Sequence, residues 1–238
     1  MRLITVAGPP SVGKTAVIVK TVRALAAAGL RVGVVKFDAL STSDDQLYER
    51  AGITAAVGLS GNVCPDHYFV SNIDDALRWG RRQGFDLLIS ESAGLCNRCS
   101  PHIHGVLGVC VVDALAGVHT PRKIGPMLRL ADVAVITKGD IVSQAEREVF
   151  AHNVRLANPR GAVMFFNGIT GQGAPDLARR MTAAPAIDGL EGARLRFPMP
   201  SAVCPYCIGE TAIGEDHQRG NVRKIILEEP ACPTASCP

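Results

Sequence analysis

Short, almost purely apolar runs alternate with amphipathic stretches along most of this chain. Leu3–Ala7, Arg31–Asp38, Phe85–Ser90, Val106–Asp113, Val133–Ile136 and Ala162–Phe166 have the length and composition of buried strands. Between them apolar residues recur at helical spacing. Helices are expected from Ala16 to Leu25 (closed by Gly29), from Ser43 to Ala51, from Asn72 to about Gln83, from Ser143 to about Ala157, and from Ala174 to about Thr182. Ser43 and Asn72 read as helix caps, a short helix is expected near Met127–Leu130, and Val57–Phe69 reads as a loop. Strands that are apolar throughout, each followed by a helix, predict an α/β fold with a mostly parallel sheet flanked by helices on both faces. Such sheets bind ligands beyond the C-terminal ends of their strands.

The pattern changes after Pro185. Residues 186–238 carry four of the eight cysteines and much Pro and Gly, with two possible short strands at Arg194–Phe197 and Val222–Glu228. The expected division is one large α/β domain over 1–185 and a small Cys-rich C-terminal module or tail over 186–238.

Composition narrows the picture. A formal net charge of +3, with no basic run interleaved with aromatics, argues against nucleic acid as a partner. No stretch approaches the ~20 apolar residues of a membrane span, and Met1-Arg2 leads directly into the first strand, which leaves no room for a signal peptide. A cytoplasmic location is expected, and there the cysteines point to metal or redox chemistry rather than to disulfides.

The turn after the first strand is Gly8-Pro9-Pro10-Ser11-Val12-Gly13-Lys14-Thr15. G-x-x-x-x-G-K-[ST] between a strand and a helix is a phosphate-binding loop. Its backbone N–H groups, from Gly8 through Ser11, Val12 and Gly13, turn in on an anion at a helix N-terminus. Lys14 meets the β- and γ-phosphates, and the Thr15 hydroxyl is a ligand for Mg²⁺. At a later strand end, Thr137-Lys138-Gly139-Asp140 fits the [NT]-K-x-D pattern. The Asp140 carboxylate can accept from the paired N1–H and N2–H₂ donors of guanine, which adenine lacks, so GTP is expected rather than ATP. Lys138 would lie over the base and Asn167, after the next strand, would close its other side. Glu91 ends a strand three residues before Gly94 and could orient the attacking water or hold Mg²⁺, with the Gly94 N–H sensing the γ-phosphate; Asp38 is a further carboxylate near metal and water. The catalytic set is thus Lys14, Asp38 and Glu91.

Taken in order, GPPSVGKT at 8–15, VVKFD at 34–38, CPDH at 64–67, ESAG at 91–94, PRKIGP at 121–126, TKGD at 137–140 and NGITGQG at 167–173 resemble the nickel-insertion GTPases of urease and hydrogenase maturation. These are P-loop GTPases of the SIMIBI class, and the resemblance, closest to the urease accessory type, covers about residues 1–183. It implies a GTP hydrolase that forms a nucleotide-dependent homodimer, works with other maturation factors, and passes a metal ion to a client apo-metalloenzyme. In that family a Cys-Pro-His triplet binds nickel across the dimer. Here the triplet is Cys64-Pro65-Asp66-His67, with Asp66 in the usual His place, so the implied ligands are Cys64 and His67 and the ion is nickel or zinc.

The chain departs from that family at Leu95-Cys96-Asn97-Arg98-Cys99-Ser100-Pro101-His102-Ile103-His104, immediately after Gly94. Cys96 and Cys99 form a C-x-x-C pair able to grip one metal, and His102 or His104 could add a ligand. Cys110, inside an apolar strand, reads as core. In the tail, Cys204, Cys207, Cys232 and Cys237 form two pairs suited to zinc or an iron–sulfur cluster. The reading that follows is a GTP-hydrolysing metallochaperone. The alternative is a nucleotide-dependent iron–sulfur redox activator or metal-centre assembly ATPase.

Overall fold

The computed structural model describes residues 1–198, 210–217 and 222–227. Cys204, Cys207, Cys232 and Cys237 lie outside the described residues. Seven strands, β1 (Arg2–Ala7), β2 (Val32–Asp38), β3 (Ala55–Leu59), β4 (Leu87–Glu91), β5 (Leu107–Asp113), β6 (Val133–Thr137) and β7 (Ala162–Phe166), form one sheet in the order β3-β2-β4-β1-β5-β6-β7. Every pairing is parallel. Helices α1 (Lys14–Ala27), α2 (Asp44–Arg50), α3 (Pro65–Arg82), α4 (Pro126–Arg129) and α5 (Gln144–Ala157) lie in the crossovers, except that β4 passes to β5 through a loop, and α6 (Ala174–Thr182) follows β7.

Alternation along the strands sorts the side chains into two cores. Ile4, Val6, Val34, Ile89, Val109 and Val135 face α1 and α6, meeting Val17, Ile18, Leu25, Leu177 and Met181. On the other face Leu3, Val35, Phe37 and Leu88 meet Phe69, Ile73 and Leu77 of α3, while Cys110, Val112, Ala134 and Ile136 meet Phe150 and Val154 of α5. Cys110 is fully buried there, as a small core residue. From β1 the chain crosses to one side for β2 and β3 and later to the other for β5, β6 and β7, so the C-terminal end of β1 is the switch point of the sheet.

Two local expectations are corrected. Val57–Phe69 is not a loop: β3 adds an edge strand to β2, and α3 begins at Pro65. The edge strand is rich in Ala and Gly and lacks the apolar density of the central strands. Proline at the first helical position and Asp66 in the first turn are what start α3. Asn72 therefore lies within the helix rather than at its cap. Its amide donates to the Tyr68 and Arg223 carbonyls, and its carbonyl oxygen accepts from Ile225 N–H. The other correction concerns the two short strands expected after Pro185. Only single bridges form at Arg194 and Leu195, to Ala212 and Ile103, and residues 222–227 lie along α3 without strand pairing.

Past Pro185 the chain continues along the α3 face. Leu190, Leu195 and Ile213 are buried with Ile103 and Val106. Arg196 donates to the Ile103, Leu130 and Val106 carbonyls and makes a two-pronged pair with Asp132, at 2.9 and 2.8 Å.

Candidate nucleotide and metal site

The β1–α1 turn lies over the end of β5. At Gly8 φ is 146°, and a Cβ there would stand 2.2 Å from the Val111 carbonyl oxygen, so only glycine fits. Gly13 caps α1, whose N-terminus points into the turn. Lys14 folds back to donate to the Gly8 and Pro9 carbonyls at 2.9 and 3.0 Å; burial holds its ammonium below the usual lysine range. Lys14 thus sits inside the turn.

Beside the cradle is a buried acidic network. β2 and β4 are in register at Lys36 and Glu91. The Lys36 ammonium bonds Glu91 Oε1 at 3.1 Å, pairs with Asp44, and stands 3.6 Å from Asp38 Oδ2. The Thr15 hydroxyl donates to Glu91 Oε1 at 3.2 Å and the Tyr48 phenol to Glu91 Oε2. Burial alone would lower the Lys36 pKa, but Glu91 and Asp44 outweigh it and raise it. Tyr48 is pushed well above its ordinary range, by burial first and then by Glu91. Of these residues, Thr15, Asp38 and Glu91 were expected at the site. Lys36, Asp44 and Tyr48 were not, although a lysine in the middle of an otherwise apolar strand is itself a signal of buried charge.

On the opposite side of the cradle, Thr137 Oγ1 donates to the Val12 carbonyl at 2.7 Å, tying β6 to the loop. Lys138, in a left-handed turn at φ 56°, reaches the Ser11 carbonyl at 3.0 Å and Asp113 at 2.6 Å. Asp113, at the end of β5, is another carboxylate the pattern alone did not single out. Asp140 and Asn167 line a shared cavity of about 260 Å³ with Gly139, Arg147, Phe165 and Gln172. The Arg147 guanidinium stacks 5.2 Å from the Phe165 ring centre. Asn167 Oδ1 accepts from Ile169 and Thr170 N–H at 2.9 Å, which fixes the turn it begins.

The third cluster grows from Gly94. At φ 72° its backbone is pressed against the cradle: a Cβ would be 1.8 Å from the Gly8 carbonyl oxygen. Two residues on, the loop turns at Cys96 and Cys99. Their sulfurs and an Asp66 carboxylate oxygen from the first turn of α3 all lie within 4.8 Å of one another. Burial raises the Asp66 pKa to about 6, and burial, then Asp66 and Cys96, raise that of Cys99. Cys64 caps α3 on the same side, close enough to contribute to the field at Cys99. His67 is not in this group. Successive helical residues diverge by about 100°, so with Asp66 facing the thiols, His67 is buried in α3 at 1% exposure. His102 is also unavailable as a ligand: Nε2–H donates to the Met127 carbonyl, and Nδ1 therefore accepts from Thr5 Oγ1–H, both at 2.9 Å. Burial lowers its pKa to about 4. His104 is exposed, and its backbone N–H is held by the Arg194 carbonyl.

Residues 2–165 match the family described as CobW/HypB/UreG, nucleotide-binding domain. The chain is 45% identical over 225 residues to an uncharacterized protein of Methanocaldococcus jannaschii, spanning 94% of this chain and 96% of that one. It is 29% identical over 199 residues to the urease accessory protein UreG of Mycolicibacterium gilvum, spanning 78% and 93%. Hydrogenase maturation factor HypB of Archaeoglobus fulgidus matches in structure with a TM-score of 0.59 at 22% identity, over 76% of this chain and 89% of that one. HypB from Helicobacter pylori, solved in complex with nickel, matches with a TM-score of 0.61 at 17% identity, over 76% and 86%. At such identities the structural matches speak for the fold.

Proposed function

The chain belongs to the CobW/HypB/UreG family, and on that premise we propose that it is a GTP-hydrolysing metallochaperone for metalloenzyme maturation. The observation that carries this reading is the contact of Gly94 with Gly8. It joins the phosphate cradle to a loop whose Cys96 and Cys99, two and five residues later, meet Asp66. Relatives named as urease accessory and hydrogenase maturation proteins support the same class of task.

In this reading Gly8, Ser11, Val12, Gly13 and Lys14 hold the phosphates, and Thr137, Lys138, Asp140 and Asn167 surround guanine. The oxygens of Thr15, Asp38, Asp44 and Glu91 are hard donors that suit Mg²⁺; the three carboxylates gather around one ammonium and Thr15 bonds Glu91, which supports a cation site there. When bound, the ion would neutralise charge on the β- and γ-phosphates. Glu91 orients water for attack on the γ-phosphorus. The bond to the bridging oxygen breaks, giving GDP and inorganic phosphate. Loss of the γ-phosphate frees the Gly94 N–H and, with it, the cysteine loop.

The cargo is a borderline divalent ion, nickel or zinc, taken by Cys96, Cys99 and Asp66 with Cys64 beside them; a second copy of the chain completes the site in a nucleotide-dependent dimer. Two thiols with a carboxylate suit a single ion better than an iron–sulfur cluster, which is held by thiolates. The four tail cysteines would collect metal or dock the client. The test is equilibrium dialysis of nickel and of zinc against the full chain with a non-hydrolysable GTP analogue. Cys64→Ala and Cys96→Ala should abolish nucleotide-dependent metal uptake while leaving nucleotide affinity unchanged. Equal uptake by both variants, or equal affinity for ATP and GTP, would overturn the reading.

A further inference from the structure

Lys36 lies in the middle of β2 between Val35 and Phe37, and only 4% of its surface is exposed. Strand alternation puts Lys36 and Asp38 on the same face, and the register with β4 puts Glu91 beside them. Asp44 reaches in from α2. The ammonium is thus enclosed by three carboxylates, one of which also accepts from the phosphate-loop hydroxyl of Thr15. Three negative charges against one positive leave the cluster at −2, the charge that one divalent ion balances. A permanent ion pair needs only one partner. A lysine set among the very oxygens that suit the nucleotide's metal ion has a different meaning.

We propose that Lys36 is a tethered cation that keeps the divalent-ion site closed in the nucleotide-free chain and is displaced when the ion arrives with nucleotide. This rests on the nucleotide reading above and adds a gate to it. Free divalent ions, including the cargo, meet an acidic cluster already occupied by an ammonium. An ion delivered on triphosphate brings oxygens of its own and can compete for Thr15 and Glu91. Displacement also frees Asp44, and with it the link from α2 to β4 that runs through Lys36. The same lysine therefore separates cofactor from cargo and reports the arrival of nucleotide to α2.

The probe is manganese, titrated by electron paramagnetic resonance into the full chain without nucleotide and with GDP. Without nucleotide, Lys36→Met should bind manganese about tenfold or more tightly than the wild type, because one positive charge has left the cluster. Lys36→Arg, which keeps the charge, should remain near the wild type. Should the Met variant not fold, the wild type still decides: the Lys36 ammonium resonance in lysine-labelled protein, assigned by its loss in Lys36→Arg, should shift when magnesium and a GTP analogue are added. An unchanged resonance at saturation, or manganese binding no tighter in Lys36→Met, overturns the proposal alone. A wild type that takes up manganese neither with nor without nucleotide overturns the nucleotide reading and the gate together.

Discussion

Gly94→Ala is the most direct test of the link between hydrolysis and cargo. The added methyl carbon would stand 1.8 Å from the Gly8 carbonyl oxygen, 2.9 Å from its carbon and 3.3 Å from Lys14 Nζ, where ordinary contact begins near 3.4 Å. The overlap of about 1.6 Å falls on backbone rather than on the end of a flexible side chain. Little else can yield. Ser92 N–H is bonded to the Val6 carbonyl at 3.0 Å, which fixes the end of β4, and Gly8 itself is pressed on Val111. The φ of 72° costs an alanine a further ~1 kcal/mol. The segment that moves must therefore be 93–99, the cysteine loop. Both cores are untouched, so the stability loss should stay near 1–2 kcal/mol in urea denaturation. Calorimetry should show GDP affinity nearly retained but affinity for a non-hydrolysable GTP analogue down by about tenfold. Metal uptake should become independent of nucleotide. A variant that still prefers the analogue and still couples it to metal would refute the argument, because the contact would then carry no information.

Three further outcomes are expected. Asp140→Asn should weaken GTP binding by about ten- to a hundredfold and favour xanthosine triphosphate, whose O2 accepts where guanine donates; competition against fluorescent GDP measures both. His102 sits fully buried with its pKa lowered from 6.5 to about 4, so as pH falls below 6.5 the unfolded chain takes a proton that the folded chain refuses. Its contribution is complete above pH 6.5 and lost toward pH 4, a total of about 3 kcal/mol; His102→Gln should flatten that slope by about one proton, and an unchanged slope would contradict the assignment. A chain ended at Pro185 should lose more than about 3 kcal/mol, since it gives up buried Leu190, Leu195 and Ile213 and the Arg196–Asp132 pair; denaturation equal to the full chain would show the segment to be an accessory.

Much of the architecture was legible because six of the seven strands are predominantly apolar runs and their helices are periodic. What escaped was β3, whose Ala and Gly residues gain strand character only by pairing with β2, and the first turns of α3, hidden behind a Cys-Pro sequence that resembles a loop. The Gly8–Thr15, Thr137–Asp140 and Asn167 turns were legible for a related reason: each is a contiguous run at a strand end. Lys36, Asp44, Tyr48 and Asp66 were not, since their partners come from other elements. Lys36 meets Glu91 through strand register and Tyr48 meets it from a helix, and neither relation is written in local spacing. His67 shows the converse error. Its resemblance to the last residue of a Cys-Pro-His triplet made it an expected ligand, and the helical turn that aims Asp66 at Cys96 and Cys99 leaves His67 buried in α3, apart from them.

In the proposed reading, the two donor sets are what keep two ions apart on a single chain. Around Thr15 and Glu91 the groups are hydroxyl and carboxylate oxygens, which match a hard ion carried on phosphate; around Cys96 and Cys99 they are two thiols and one carboxylate, which match a borderline ion. Gly94 stands between the two sets and touches the phosphate cradle directly. The buried Cys99 thiol, its pKa raised by burial and by Asp66, binds the cargo only as the ion drives its proton off, so in this reading uptake is tied to proton release as well as to loop position. A loop displaced at Gly94 changes how Cys96 and Cys99 meet Asp66, whereas the oxygen set stays braced by Tyr48 and by the β2–β4 register after Lys36 is displaced. In the proposed cycle the oxygen-lined site is the rigid partner of the pair and the thiol-lined site the compliant one. Hydrolysis should therefore loosen the cargo without dismantling the machinery that must bind the next nucleotide.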